Sequence, residues 1–126
     1  MIIKESAENY LEAILVIQKK KGYVRSIDIA NELGFTKPSV SVAMKNFREA
    51  GYINTEEDGS ITLTEKGKKI AEDVYGRHQL IAEILIRLGV DEETAYEDSC
   101  KMEHSLSQQS FTKIKEFYEN YKKNNE

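Results

Sequence analysis

The chain of 126 residues has one cysteine, two histidines and no tryptophan. A lone thiol cannot close an internal disulfide, which excludes a disulfide-stapled fold and fits a reducing cytoplasm. No uncharged apolar run approaches the ~20 residues that a membrane-spanning helix needs, so a membrane protein is not expected. The start, Met1-Ile2-Ile3-Lys4-Glu5-Ser6, lacks the basic residues, apolar stretch and cleavage site of a secretory signal. Internal repeats, low-complexity linkers and a Gly-rich phosphate loop are missing as well. Positive charge is also scarce: the net charge is -4, which excludes a chain coated in basic residues for nucleic acid. Residues 1–75 carry 11 Lys and Arg against 12 Asp and Glu, and residues 76–126 carry 7 against 10. The near-neutral first part can still turn a local basic face toward phosphate.

Apolar periodicity then sets out the elements. Residues 6–18 read as a helix capped by Ser6, with Tyr10, Leu11, Ile14, Leu15 and Ile17 apolar. Asn9 and Glu12 stand three apart on its other side, where a solvated face is the plain reading. A short helix from Ser26 to Leu33 ends at Gly34, and Thr36 caps a third helix with Pro38 in its first turn. That helix is expected to bury Val40, Ala43, Met44 and Phe47, and to present Lys37, Ser39, Ser41, Val42, Lys45 and Arg48 outward. Two short helices joined by a turn containing Gly form a helix-turn-helix, whose second helix enters the DNA major groove. Tyr52-Ile53-Asn54 and Ser60-Ile61-Thr62-Leu63, joined through Asp58-Gly59, read as a hairpin. The unit is a winged helix, with an unusually acidic tip in Glu56, Glu57 and Asp58. Its expected partner is double-stranded DNA, although a winged helix can also dock protein. Ser39, Ser41 and Val42 are candidates for base contacts, and Arg25, Lys37 and Lys45 for phosphate contacts.

Thr64 caps a long fourth helix ending at Gly89, Asp91 starts a fifth and Ser107 a sixth. The apolar surplus from Leu80 to Leu88, with a stripe of Phe111, Ile114, Phe117, Tyr118 and Tyr121, calls for cover by a second subunit. The expected architecture is mainly α: a winged helix-turn-helix with a two-stranded wing over residues 1–73, then an α-helical metal-binding and dimerisation domain over residues 74–126.

One constellation carries metal chemistry. Cys100, Glu103 and His104 fall at i, i+3 and i+4, so a helix puts thiolate, carboxylate and imidazole on one face. The plain alternative is a buried packing Cys100 beside two exposed polar residues. A second histidine, His78, follows Arg77 in the fourth helix.

The order of these parts resembles the diphtheria toxin repressor (DtxR/MntR) family of metal-dependent transcriptional regulators. The resemblance runs through Asn9-Tyr10-Leu11-Glu12, Ser26-Ile27-Asp28-Ile29-Ala30, Lys37-Pro38-Ser39-Val40-Ser41, Leu63-Thr64-Glu65-Lys66-Gly67, Arg77-His78 and Cys-x-x-Glu-His-x-x-Ser from Cys100 to Ser107. Its extent is similar to the two-domain manganese branch; iron-type members add an SH3-like domain. By this resemblance Glu12, His78, Glu103 and His104 stand where the manganese branch has ligands. Asn9 stands where that branch has Asp and the iron branch Met. Cys100 stands where it has Glu, and matches the iron branch's Cys. Ala82 occupies a position where iron-type members have a carboxylate. The implied ligand set is Asn9, Glu12, His78, Cys100, Glu103 and His104. Oxygen donors favour manganese, whereas a thiolate shifts preference toward iron, cobalt, nickel or zinc. The expected cofactor is a divalent transition metal, Fe(II) first and Mn(II) second.

The expected function is a cytoplasmic, homodimeric, metal-dependent repressor that binds a palindromic operator and controls metal homeostasis. The rival is a metal-independent winged-helix regulator that senses an organic ligand or oxidation of Cys100. An enzyme is not expected, because no nucleophile or general-base pair accompanies the candidate ligands.

Overall fold

In a computed structural model, which describes residues 5–125, three helices lead into a two-stranded sheet and three further helices follow. Helix α1 (Glu5–Lys21) turns Leu11 and Ile14 fully inward, and Lys19, Lys20 and Lys21 gather in its last turn, where cations offset the negative helix end. Its backbone is already helical at Ser6, one residue earlier than a cap at that position requires. Helix α2 (Ser26–Leu33) starts on Asp28, whose Oδ2 accepts the Arg25 backbone N–H at 2.9 Å while Oδ1 takes Lys21 Nζ at 2.7 Å. The Lys21 hydrogen bond first, and the Arg25 N–H with it, hold the Asp28 carboxyl below its ordinary range.

Gly34, at φ 71°, supplies the left-handed turn that separates α2 from α3 (Lys37–Glu49). Thr36 Oγ1 accepts the Ser39 N–H at 3.3 Å, and Pro38 occupies the first turn, where its missing N–H leaves nothing unsatisfied. Val40, Met44 and Phe47 face inward; Ala43, expected with them, is half-buried because it lies at the rim of that stripe. Leu11, Ile14, Val24, Ile29, Val40 and Ile53 form the fully buried core of this part. Each contributes about 1.5–3 kcal/mol by leaving water. Tyr10 closes one side, with its ring 5.5 Å from Phe35 and 5.7 Å from Phe47.

Strands β1 (Ile53–Thr55) and β2 (Ile61–Leu63) pair antiparallel, with Ile53 opposite Leu63 and Thr55 opposite Ile61. The Ile61 N–H donates to the Val24 carbonyl at 2.7 Å and ties the wing to the segment before α2. The acidic tip is built into the turn. Asp58 Oδ1 accepts the Ser60 N–H at 2.9 Å, and Glu56 Oε1 accepts from Thr62 Oγ1 at 3.1 Å. Hydrogen bonds from Ser60, with the Arg25 charge as a smaller contribution, keep Asp58 below its ordinary range.

Helix α4 (Glu65–Leu88) is capped by Thr64, whose Oγ1 accepts the Gly67 N–H at 3.1 Å and donates to the Gly51 carbonyl at 2.7 Å. Gly67 rests on the Tyr52 carbonyl so closely that a β-carbon would overlap it. The motif after the wing therefore has a packing reason for its glycine.

The chain divides into two compact units, Met1–Asp73 and Val74–Glu126. The second contains the rest of α4 with α5 (Glu92–Ser105) and α6 (Gln108–Asn125). Asp91 caps α5 by accepting the Thr94 N–H at 3.0 Å, and Ser107 caps α6 by accepting the Ser110 N–H at 3.0 Å. Val74, Ile81, Ala82, Ala95, Phe111 and Tyr118 are buried. The stripe on α6 splits in two: Phe111 and Tyr118 point inward, while Ile114, Phe117 and Tyr121 remain exposed, Phe117 at 75%. With Ile84 and Leu88 those three line an apolar groove of about 270 Å³. The observed architecture is the winged helix-turn-helix and helical part expected from sequence. Among the described residues no helix is long and apolar enough to cross a membrane.

Candidate metal centre and nucleic-acid interface

Helix α5 brings Cys100, Glu103 and His104 onto one face, as the i, i+3, i+4 spacing requires. One ligand atom from each lies within 4.8 Å of the others. Glu103 Oε1 and His104 Nε2 are 3.4 Å apart, with the two side chains only 1% and 5% exposed. Cys100 is half-buried. Around a first-row divalent ion with bonds near 2.0–2.3 Å, neighbouring donors stand about 3–4 Å apart. The three donors fit such an ion after small side-chain adjustments. Their sulfur, oxygen and nitrogen atoms exclude the all-oxygen character of a calcium or magnesium site.

His78, on α4, lies beside the Glu103 member of this cluster. Its Nε2 lies 3.1 Å from the Tyr96 carbonyl oxygen, with the two rings edge to face at 5.9 Å. A carbonyl can only accept, so in the neutral ring Nε2 carries the hydrogen and Nδ1 keeps the lone pair. A backbone carbonyl on one ring nitrogen is a usual way in which a ligating histidine is oriented. The ligand atoms offered by His78 and Glu103 lie within 4.8 Å of each other. The preceding residue, Arg77, donates from Nη2 to the Glu103 carbonyl at 2.9 Å and to the Leu106 carbonyl at 2.8 Å. Its guanidinium carbon sits 4.9 Å from the centre of the Phe111 ring.

On α1, Asn9 is half-buried and Glu12 is buried at 8% exposure. The solvated face that their spacing alone suggested does not hold for Glu12. A carboxylate withdrawn from water needs compensating positive charge or hydrogen bonds.

Lys37, Ser39, Ser41, Val42 and Lys45 are all exposed on α3, with Val42 61% exposed in the middle of the outward face. An apolar side chain that bare on a recognition helix suits contact with a thymine methyl. Ser39 Oγ accepts from Thr36 Oγ1 at 2.8 Å, which leaves its own O–H to donate. Arg25 is exposed beside the wing turn, its Nη1 3.6 Å from where a β-carbon on Gly59 would lie. It therefore borders both the start of α2 and the wing.

Three groups that the sequence did not single out for a role lie beside the candidate sites. Asn46 is exposed on α3 beside Val42 and is chemically able to read a base edge; its helical position would have revealed it. The Tyr96 carbonyl is a backbone atom, with no sequence signature. Arg77 was visible only as the neighbour of His78.

Residues 3–61 match the family described as the iron dependent repressor N-terminal DNA binding domain. Residues 64–126 match the iron dependent repressor metal binding and dimerisation domain. An uncharacterized HTH-type transcriptional regulator of Methanocaldococcus jannaschii is 36% identical over 122 residues, covering 95% of this chain and 98% of that protein. The HTH-type transcriptional regulator MntR of Lysinibacillus sphaericus is 37% identical over 109 residues, covering 86% of this chain and 78% of that one. Among solved structures, the T. acidophilum protein IdeR superposes with a TM-score of 0.78 at 25% identity, over 94% of this chain and 55% of that chain.

Proposed function

The chain belongs to the iron-dependent repressor (DtxR/MntR) family of metal-dependent, DNA-binding transcriptional repressors, and we propose that it senses its metal through His78, Cys100, Glu103 and His104. The observation that carries this reading is the convergence of Cys100, Glu103 and His104 donors within 4.8 Å on one helix. Asn9 and Glu12 enter the proposed ligand set through family correspondence alone. The family acts through DNA and as a homodimer, and its members are repressors rather than enzymes. A divalent metal is the cofactor such a family requires. Metal-independent sensing of an organic ligand, or of Cys100 oxidation, gives way to this reading because it leaves the buried carboxylate and imidazole of Glu103 and His104 without a role.

For the identity of the ion, the Cys100 thiolate favours Fe(II), which we place first. The oxygens of Glu103 and Glu12 favour Mn(II), the second reading. When bound, the ion supplies positive charge that neutralises the converging carboxylate and thiolate. Cys100 must give up its proton, and His78 and His104 must each present a neutral ring nitrogen, so affinity falls with acidification.

On DNA, Lys37, Lys45 and Arg25 are proposed to neutralise phosphates, while Ser39, Ser41 and Val42 read bases in the major groove. A dimer with two such helices reads a palindromic operator. A ~100-fold preference of the ion for the DNA-competent state shifts the equilibrium by about 2.7 kcal/mol, enough for a switch. Anaerobic titration of operator binding with Fe(II) and Mn(II) tests the proposal. Saturation at lower free Fe(II) than Mn(II) is expected; the reverse order assigns manganese, and no response to either rejects the metal reading.

A further inference from the structure

We propose that Arg77 is the positioning residue of the metal centre, holding the last turn of α5 so that Glu103 and His104 meet Cys100. This rests on the reading of those three residues as ligands. Helix α5 ends at Ser105, so Glu103 and His104 lie in its final turn while Cys100 lies one turn earlier. The last four carbonyls of a helix have no partner within it, and final turns fray unless something outside bonds them. Arg77 does so twice, from Nη2 to the carbonyls of Glu103 at 2.9 Å and Leu106 at 2.8 Å. Leu106, in extended conformation, is the capping residue just past the end of α5. A guanidinium at that point also sets positive charge against the negative end of the helix.

The guanidinium is itself held. Phe111, buried at the start of α6, faces it at 4.9 Å. Such a cation–π contact gains strength when partly desolvated, and Arg77 is half-buried. One side chain thus fixes the end of α5, its junction with α6 and, through the Glu103 main chain, the direction in which the Glu103 carboxylate leaves the helix. His78, the next residue on α4, is within reach of that same carboxylate. The dipeptide therefore addresses Glu103 twice, once through its backbone and once through its side chain.

A role in fold alone and a role in ligand placement differ in one respect. Cys100 is a turn away from the pinned end, so loss of Arg77 should disturb the oxygen and nitrogen donors and spare the sulfur. The test uses the full chain and Co(II) as probe. Wild type should bind Co(II) with a thiolate charge-transfer band. Arg77→Met, which keeps the aliphatic stem but removes the donors, should bind 10–100-fold more weakly, the range seen for loss of outer partners of metal ligands. At saturation it should keep the thiolate band while its d–d bands shift. Arg77→Lys, with one compact donor group, should recover part of the affinity, and Phe111→Leu should lower it less than Arg77→Met does.

Far-ultraviolet circular dichroism checks that the variants are folded. If Arg77→Met has lost helix, Phe111→Leu and Arg77→Lys decide, and wild-type affinity and d–d bands in both overturn the proposal. Affinity within twofold of wild type and unchanged d–d bands in a folded Arg77→Met overturn it directly. Failure of wild type itself to bind Co(II) overturns the ligand reading beneath it, a result distinct from either.

Discussion

Arg77 and Glu103, 26 positions apart in the chain, are joined by a 2.9 Å hydrogen bond from guanidinium to carbonyl, and Glu103 in turn is buried beside His104. A residue with no metal-binding chemistry thus touches the main chain of one with it. The same economy marks the wing, where acids that look unsuited to DNA form the turn that shapes it.

Lys45 is exposed on the outward face of α3 and is expected to neutralise a phosphate. Lys45→Ala should weaken binding to operator and unrelated duplex alike and lower the salt slope of log K by about one. Fluorescence anisotropy across a salt series measures both. Relaxed specificity at one base pair, with the slope unchanged, would move Lys45 from phosphate to base.

Gly67→Ala should destabilise the winged-helix unit by about 2–3 kcal/mol or more, since the added methyl meets the Tyr52 carbonyl rather than a flexible side chain. Chemical denaturation gives the value. Stability equal to wild type would show that α4 starts further from the wing than the structure has it.

The Asp28 carboxyl is depressed by the Lys21 hydrogen bond first and by the Arg25 backbone N–H. A depressed carboxylate contributes stability above its unfolded pKa of about 4, and that stability is lost as pH falls through the lower folded value. Asp28→Asn should therefore cost about 1 kcal/mol at pH 7, the scale of a helix-start hydrogen bond, and the difference from wild type should shrink on acidification, being lost as pH falls through the depressed folded value. A difference that grows with acid would contradict the assignment.

Much of this was legible beforehand because its causes are local. Thr36, Asp91 and Ser107 bond backbone groups three residues ahead, so their caps can be read from sequence, as can the shared face of Cys100, Glu103 and His104. What was hidden depends on distant chain. Glu12 stands at a position that spacing alone gives to solvent, yet it is buried. The aromatic stripe of α6 looks continuous, but helical rotation separates Phe111 and Tyr118 from Phe117 and Tyr121. Arg77 acts across 26 residues on carbonyls, which every residue has, so no pattern of side chains announces it.

Cys100 decides the character of the proposed site. Its thiolate should give a Co(II) derivative an intense near-ultraviolet charge-transfer band, absent in Cys100→Ala, and binding should release protons. Cys100→Glu should raise the Mn(II) response relative to Fe(II), because a hard oxygen replaces sulfur. If the native protein lacks the band and both variants respond as wild type does, Cys100 is a packing residue and the remaining oxygen and nitrogen donors point to manganese.

An ion held at the end of α5 is proposed to govern DNA binding, and Glu103→Gln probes this dependence, since the amide keeps shape while removing the charged donor. The measurement is operator binding by wild type and variant, by anisotropy under anaerobic conditions, with chelator and then with Fe(II) or Mn(II). Wild type should gain at least tenfold in affinity with metal, whereas the variant should retain its fold and its weak metal-free binding and gain less than twofold. A folded variant that responds to metal as wild type does would contradict it.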